Sequence, residues 1–302
     1  MSRLDWIAVD WGTSSLRAWG IGTDGSVLWA ESSPTGMGGL APEQFEPTFL
    51  ALVAPHVGPS ERIEAIACGM VGARQGWAEA GYRAVPCTPL SPDLTAAPTS
   101  DPRLSFRIIG GLSQADPADV MRGEETQIAG FQALNPKFDG VICLPGTHSK
   151  WVHVSAGEVV SFQTFMTGEL FAALAGHTVL RHSVGGEDWD DDAFAEAVDD
   201  AVSRPEKLAA RLFGLRAEGL LNGLPAAAAR ARLSGLLIGA ELAAARPYWL
   251  GQNIAIVGAT GISGRYGAAL SGLGVTATLA DGDAMVLKGL IAARSNTTEI
   301  PT

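Results

Sequence analysis

A short polar turn between two apolar runs near the start of the chain constrains the fold more than any other feature. The run Trp6–Asp10 ends in an acid, and a second apolar run extends from Ser15 to Ile21. Small residues fill the gap between them, in the order Gly12-Thr13-Ser14. Two short apolar runs separated by turn-forming residues predict a strand, a tight turn and a second strand.

The composition of this turn is typical of a phosphate-binding loop. Gly12 lets a ligand approach the backbone closely, and the hydroxyls of Thr13 and Ser14 add donors to an anion-binding nest of turn amides. Asp10, at the end of the first strand, can hold a divalent cation or the water bound to it. The turn is not a Walker loop, which ends in Gly-Lys-Ser/Thr and leads into a helix. An ordinary hairpin with a polar loop is the alternative interpretation.

The same layout returns in the middle of the chain. The apolar run Val141–Pro145 is followed by a polar turn, Gly146-Thr147-His148-Ser149-Lys150, and then by the apolar run Trp151–Val154. A third strand is predicted after each pair, at Ser26–Ser32 and at Val159–Phe165. We interpret this as an internal repeat of architecture. It predicts two α/β domains, residues 1–136 and 137–302, with one phosphate turn from each facing a cleft between them.

Composition restricts the class of partner. The chain has 302 residues, of which 47% are hydrophobic, and this fits two globular domains. Its formal net charge of −11 argues against general binding to nucleic acid or to an anionic membrane. An acidic protein that handles phosphate therefore has to supply local positive charge or Mg²⁺ at its site.

Two further observations indicate a cytoplasmic protein. The apolar stretch Ala226–Arg246 is interrupted by Arg230, Arg232 and Glu241, so it predicts a buried helix rather than a membrane span. The N-terminus lacks a signal pattern, and the cysteines (Cys68, Cys87 and Cys143) have no CxxC spacing and are expected to be free thiols.

Several blocks along the chain carry a resemblance to a known family. The most specific are Val120–Gln127 (VMRGEETQ) and Leu144–Val152 (LPGTHSKWV). The others are Ala8–Trp19, Gly69–Gly72, Met166–Leu170 and Leu233–Glu241. Together they run in order along essentially the whole chain and resemble the 2-dehydro-3-deoxygalactonokinase family, within the sugar kinase, actin and Hsp70 superfamily. The resemblance implies two ribonuclease-H-like (actin-like ATPase) domains. It also implies ATP-dependent phosphorylation, with Mg²⁺, of the 6-hydroxyl of a 2-keto-3-deoxy sugar acid, 2-dehydro-3-deoxy-D-galactonate, in galactose breakdown of the De Ley–Doudoroff type.

The same resemblance suggests roles for the two turns. Asp10 would serve the metal, usually through water, and Gly12, Thr13 and Ser14 would face the phosphates. Gly146 and Thr147 would form the second phosphate turn, in which Lys150 supplies a point charge and His148 contacts substrate. A strand-edge lysine and a turn-capping histidine are the alternative interpretations. The Gly-rich turn that contains Gly258, Thr260 and Gly261 resembles the one under the adenosine end of the nucleotide.

A carboxylate is expected to take the proton of the acceptor hydroxyl. Most sugar kinases of the superfamily use an Asp, but here Glu124 and Glu125 occupy that place. The related exopolyphosphatases carry a Gly-x-Glu-Glu pattern in which the second acid is the base, so Glu125 leads and Glu124 follows. Both can also be explained as helix-start acids that interact with the helix dipole. Glu169, beside Thr167, is a third candidate, and both residues are predicted to contact substrate.

An anionic substrate also calls for a cationic clamp, for which Arg is the most economical residue. Arg17, Arg74 and Arg122 each lie in or beside a matched block. Arg17 is on a strand interior, where a charge is costly unless it is paired or faces a cleft.

Two rival functions remain open at this stage. One is a phosphohydrolase resembling exopolyphosphatase, in which Glu125 activates water, and the other is a nucleotide-dependent switch of the actin type. A kinase of an epimeric sugar acid is a third reading of the same site. A homodimer is among the assemblies that the sequence allows.

Overall fold

A computed structural model describes residues 2–298 of the chain. In that part of the chain the strands are β1 (Leu4–Trp11), β2 (Leu16–Gly22), β3 (Val27–Ser33), β4 (Ile63–Cys68), β5 (Tyr82–Ala84), β6 (Thr95–Ala96), β7 (Leu104–Ile108), β8 (Gly111–Ala115), β9 (Ala118–Met121), β10 (Gly140–Leu144), β11 (Ser149–Ser155), β12 (Glu158–Phe165), β13 (Ile254–Gly258) and β14 (Ala277–Asp281). The α-helices there are α1 (Phe45–Val53), α2 (Glu124–Leu134), α3 (Thr167–His177), α4 (Asp191–Ser203), α5 (Leu208–Leu221), α6 (Ala226–Ala244), α7 (Arg246–Trp249), α8 (Thr260–Gly272) and α9 (Gly282–Thr298). The chain divides into two compact units.

The first unit is built on the sheet β3-β2-β1-β4-β7-β6. Strand β1 pairs antiparallel with β2 and parallel with β4, which in turn pairs parallel with β7. The apolar residues of β1 are buried because helices cover the sheet; Val9 and Trp11 pack with Phe45, Phe49 and Phe106. The carboxyl ends of β1 and β4 therefore lie side by side at one edge, where polar side chains can face a ligand.

Helix α9 returns to the first unit after the whole of the second has been traversed. It packs on α2 through two glycines: a Cβ on Gly130 would overlap the carbonyl of Met285, and one on Gly289 would overlap the carbonyl of Thr126. The segment Ala156–Val160 also belongs to this unit, because Val159 forms a β-bridge with Cys87. The predicted ranges, 1–136 and 137–302, place Ala156–Val160 and helix α9 in the second domain. In the structure both segments belong to the first unit.

The second unit is built on the sheet β12-β11-β10-β13-β14. Strand β10 pairs antiparallel with β11 and parallel with β13, and β13 pairs parallel with β14. This is the order of β3-β2-β1-β4-β7 in the first unit, so the internal repeat predicted from the two turns is confirmed. The predicted class, ribonuclease-H-like α/β domains, fits both sheets.

Some local predictions differ from the structure. The sequence interpretation did not include the hairpin β8–β9, which forms a three-stranded sheet with β5.

Other predictions agree with the structure. The three cysteines are free thiols, as expected. None of the described helices combines the length and hydrophobicity needed to cross a membrane.

Candidate active site

Asp10 lies where three segments of the first unit meet. The antiparallel register places it opposite Arg17 on β2, and the parallel register places it beside Cys68 on β4. Arg17 Nη2 lies 2.5 Å from Asp10 Oδ2, and another nitrogen of the same guanidinium pairs with Asp283 in the first turn of α9. Burial acts to lower the pKa of Arg17, but the hydrogen bonds and charges of Asp283 and Asp10 outweigh it and raise that pKa above its ordinary value. Arg17 thus already has two carboxylate partners within its own unit.

Within residues 2–298, the other carboxylate oxygen of Asp10 has one weak hydrogen-bond partner, the Cys68 thiol, whose Sγ lies 3.8 Å from Oδ1. Among the described residues there is no group of three or more His, Cys, Asp and Glu that could enclose a metal ion. A single carboxylate suits Mg²⁺, which is commonly held by one or two protein carboxylates together with substrate phosphates and water. The donor set therefore fits a magnesium ion that arrives with its nucleotide.

Hydrogen bonds hold the backbone of the first turn, while its side chains are exposed. The Gly12 amide donates to the Ser15 carbonyl at 2.9 Å, and the Gly12 and Thr13 carbonyls accept from the amides of Met37 and Gly38, both at 3.0 Å. The side chains of Thr13 and Ser14 are exposed. The geometry thus presents the hydroxyls predicted to face phosphate on a turn whose backbone carbonyls are engaged elsewhere.

Glu124 and Glu125 begin helix α2, directly after Gly123, whose φ of 102° favours glycine. Glu125 has no exposed surface; its Oε2 accepts the Gly123 amide at 2.7 Å, and its Oε1 accepts the Thr126 hydroxyl at 3.1 Å. Burial, and then the charge of Glu124, raise the pKa of Glu125 to about 8. Glu124 is half-buried and accepts the Arg122 amide.

Asp10 and Glu125 both lie near the thiol of Cys68. Both carboxylates act on the thiol of Cys68, adding to the effect of burial in raising the pKa of that group. The first unit therefore brings together the predicted metal ligand and the predicted base, from sequence positions more than a hundred residues apart.

The arginines predicted as substrate clamps have different surroundings. Arg122 is buried, stacks on Tyr82, and donates from Nη2 to the Ala80 carbonyl at 2.6 Å, while Nε and Nη1 have no partner among the described residues. Arg74 is exposed and makes no ion pair or hydrogen bond with the part of the chain that the structure describes. It follows the turn at Met70–Gly72, just beyond the carboxyl end of β4.

The second turn is backed by the start of α3. The Glu169 amide donates to the Thr147 carbonyl at 2.9 Å, and Gly168 packs so closely on the Gly146 carbonyl that a Cβ there would overlap it. His148 Nε2 lies 2.6 Å from Glu169 Oε2, with both side chains exposed. Glu169, predicted as a third candidate base, is therefore paired with His148 in this unit.

Two predicted residues of this region are buried. Lys150 donates from Nζ to the His148 carbonyl at 3.2 Å, so its ammonium group lies against the backbone of the turn. The Thr167 hydroxyl donates to Glu241, which the sequence interpretation did not assign to the site. The signal for Glu241 was an acid within a largely apolar helix, but the sequence interpretation used it as an argument against a membrane span and as part of a matched block, without giving it a role.

The predicted adenosine turn lies beside the second phosphate turn. Gly258 ends β13, while Thr260 and Gly261 are exposed in the first turn of α8. A Cβ on Gly258 would lie 3.3 Å from the Pro145 carbonyl oxygen, so the two turns are adjacent. A small pocket opens there, lined in part by Gly146, Gly168, Phe171, Ile262 and Arg265.

Comparisons with known proteins place the chain. The model of the family described as 2-keto-3-deoxy-galactonokinase matches residues 10–293. A Rhizobium meliloti protein named as a probable 2-dehydro-3-deoxygalactonokinase is 42% identical over 294 residues, covering 95% of both chains. The Escherichia coli protein named 2-dehydro-3-deoxygalactonokinase is 34% identical over 292 residues, covering 94% of this chain and 96% of its own.

Solved structures agree. A Sinorhizobium meliloti protein described as a 2-dehydro-3-deoxygalactonokinase has a TM-score of 0.90 at 41% identity. The alignment covers 99% of this chain and 98% of that one. Component A of the (R)-2-hydroxyglutaryl-CoA dehydratase of Acidaminococcus fermentans has a TM-score of 0.53 at 13% identity, which shows a shared fold alone; the two chains are covered to 96% and 98%. The chain belongs to the 2-keto-3-deoxy-galactonokinase family.

Proposed function

We propose that the protein is an ATP-dependent kinase that phosphorylates the 6-hydroxyl of 2-dehydro-3-deoxy-D-galactonate, giving the 6-phosphate and ADP. The observation that carries the proposal is the match, over nearly the whole chain, to relatives named for this reaction. The matches favour a kinase over both the hydrolase and the nucleotide-dependent switch. The arrangement at Asp10 and Glu125 fits the chemistry.

Phosphoryl transfer needs positioning and charge neutralisation more than covalent catalysis. In the proposed step the 6-hydroxyl oxygen attacks the γ-phosphorus of ATP, the bond to the β–γ bridging oxygen breaks, and the hydroxyl proton passes to the carboxylate of Glu125. A pKa of about 8 suits a base that works near neutral pH. Because Glu125 has no exposed surface, the acceptor hydroxyl has to replace its contact with Thr126 or Gly123. Glu124, half-buried beside it, is the second candidate.

Asp10 is the residue proposed to hold Mg²⁺, directly or through water. Bound there with the nucleotide, the ion would neutralise charge on the phosphates. Arg17 fixes the Asp10 carboxylate, so that its Oδ1 remains available.

Each turn supplies donors for phosphate oxygens within its own unit. In the first unit these are Gly12, Thr13 and Ser14. In the second they are the exposed Gly146 and Thr147, with the charge of Lys150 behind them. We assign the adenosine end to Gly258, Thr260 and Gly261, beside the pocket that Phe171 and Arg265 line.

The three candidate arginines differ in the contacts they already make, and this decides which of them can bind the carboxylate of the sugar acid. Arg17 is engaged by Asp10 and Asp283, and Arg122 is buried with its Nη2 on a backbone carbonyl. Arg74 is exposed at the end of β4 and free to bind an anion, so we assign it the clamp. His148, Thr167 and Glu169 remain proposed substrate contacts, of which Thr167 is the least accessible. We place this reaction in the cytoplasm, where ATP is made, and take a homodimer as the assembly to test.

The test is ADP release by purified protein with ATP and Mg²⁺, with and without 2-dehydro-3-deoxy-D-galactonate. We expect release only with the sugar acid, and phosphorus coupling to carbon 6 in the product NMR spectrum. Equal release without sugar acid would support the hydrolase instead. A higher kcat/KM for the gluconate epimer would change the substrate assignment while leaving the kinase chemistry.

A further inference from the structure

A buried carboxylate in the second unit takes part in none of the steps above. Glu241 lies on α6 with 3% of its surface exposed. It accepts hydrogen bonds from Ser149 Oγ at 2.7 Å, Trp151 Nε1 at 2.8 Å and Tyr266 Oη at 2.7 Å, and a fourth from Thr167 Oγ1. No basic side chain pairs with it in the part of the chain that the structure describes. A buried carboxylate without a cation is stable only when its lone pairs are filled by donors, and here they are.

The four donors come from three different segments. Ser149 and Trp151 are on β11, directly after the second phosphate turn. Thr167 begins α3, whose next two residues contact that turn: Gly168 packs on Gly146, and the Glu169 amide bonds to Thr147. Tyr266 is on α8, the helix whose first turn carries Thr260 and Gly261. One carboxylate thus joins β11, the start of α3 and helix α8, which are next to the second phosphate turn or carry part of the proposed adenosine site.

The hydrogen bonds are directed, so the position of each donor depends on the carboxylate. Oε2 receives three hydroxyls and Oε1 receives the indole, which fixes the rotation of the carboxylate plane. Burial, together with the charge of Glu241, raises the pKa of Tyr266 well above its ordinary value, so the phenol stays a donor. A neutral amide at this position has only one oxygen, and the hydroxyls would have to turn to accept from its nitrogen.

We propose that Glu241 is a positioning residue for ATP: its carboxylate sets the second phosphate turn, the start of α3 and helix α8 in the arrangement that binds the nucleotide. The inference rests on the proposed function, because it takes the turn at Gly146 and Thr147 to bind phosphate. It predicts that changes at Glu241 weaken nucleotide binding more than sugar-acid binding, which they reach only through Thr167 and its neighbours at the start of α3.

The experiment is calorimetric titration of Glu241→Gln with the Mg²⁺ complex of AMP-PNP, without sugar acid. We expect Kd to rise about tenfold, the equivalent of one charge-assisted hydrogen bond. The KM for the sugar acid, from ADP release at saturating ATP, should rise by a clearly smaller factor than the Kd for AMP-PNP. Ser149→Ala and Tyr266→Phe remove one donor each and should raise Kd by a smaller factor.

Leu242→Ala is the matched control, because Leu242 is the next residue of α6 and is fully buried in the core. It should lower the melting temperature while leaving the Kd for AMP-PNP within about twofold of wild type. An unchanged Kd in Glu241→Gln, or an equal rise in Leu242→Ala, would overturn the proposal.

If Glu241→Gln does not fold, Ser149→Ala and Tyr266→Phe decide the matter, and wild-type Kd in both counts against the proposal. The titration uses no sugar acid, so it separates this inference from the proposed function. Inactive wild type that binds AMP-PNP through Glu241 would remove only the proposed function, and wild type that does not bind AMP-PNP would remove both.

Discussion

Arg17 faces Asp10 across the first hairpin, with its Nη2 2.5 Å from Asp10 Oδ2. The guanidinium orients the carboxylate proposed for Mg²⁺, and Asp283 pairs with another nitrogen of the same guanidinium. This explains how a charge can occupy the interior of a strand, because the cost of burial is offset by two paired acids.

We predict that Arg17→Met lowers kcat about 10- to 100-fold with little change in the KM for the sugar acid, because it releases the Asp10 carboxylate without removing a substrate contact. Steady-state kinetics in both substrates measure this. In an Asp10→Asn background the same substitution should have a much smaller effect, as expected for two coupled residues. A large rise in the sugar-acid KM with kcat unchanged would return Arg17 to the role of clamp.

Glu125→Gln should lower kcat by roughly 10²–10⁴-fold, because the amide keeps the shape of the side chain but cannot accept the hydroxyl proton. In wild type, kcat/KM should rise with pH up to about 8, as the carboxylate ionises. Glu124→Gln should have the smaller effect on kcat and should shift that rise to lower pH, because it removes the nearby negative charge. The reverse ranking of the two variants would assign the base to Glu124.

The same group predicts how stability changes with pH. Folded Glu125 keeps its proton up to about pH 8, whereas the unfolded chain loses it near the ordinary value of 4.5. The folded state therefore binds more protons between these values, and its stability falls as the pH rises through them. Glu125→Gln should gain stability relative to wild type over that range, by an amount on the order of a few kcal/mol. Denaturant unfolding at several pH values tests this, with the exposed Glu79→Gln as a control that should show no such trend.

The sequence pattern predicted the parts of the fold that depend on local order. The two polar turns between apolar runs indicated both hairpins and the repeat. The register of the first hairpin follows from the length of its loop. With Gly12 bonded to Ser15, Trp11 pairs with Leu16 and Asp10 pairs with Arg17. The ion pair could therefore have been inferred from the spacing of the two residues.

Other features depend on contacts between distant segments, which no local pattern encodes. The pairing of Arg17 with Asp283 requires α9 to return to the first unit. Its only local signal is a glycine in each of two helices, Gly130 and Gly289, where a helix gains nothing from glycine unless another backbone lies close. The four donors to Glu241 are likewise spread over more than a hundred residues of sequence.

Arg74→Met should raise the KM for the sugar acid by about 10- to 100-fold, since a bidentate arginine–carboxylate contact is worth roughly 1.5–3 kcal/mol. The Kd for AMP-PNP should not change. Arg62→Met is the matched control, because Arg62 is also an exposed arginine of the first unit, with 77% of its side chain accessible. Unchanged sugar-acid KM in Arg74→Met would exclude this residue as the clamp.

Gly289→Ala should destabilise the protein by about 1–3 kcal/mol, because the added methyl group meets the backbone of α2 at Thr126 and the helices must separate. Thermal unfolding measures the loss, and kcat should fall as well because Glu125 lies in the first turn of α2. Gly176→Ala, in a helix where no heavy atom lies within 4 Å of the new Cβ, should be neutral or slightly stabilising. Equal melting temperatures for Gly289→Ala and wild type would show that α9 does not hold α2.

The return of α9 to the first unit sets an order of events on the ribosome. Helix α2 and the strand that carries Arg17 emerge early, but Asp283 and Gly289 are translated only after the whole second unit. Domains usually fold in the order in which they are made. Here the N-terminal unit is completed by a segment made last, so Arg17, which pairs with the proposed metal ligand Asp10, and helix α2, which carries the proposed base Glu125, gain their contacts with α9 only when both halves of the kinase exist. A nascent chain that lacks α9 has no completed site with which to consume ATP.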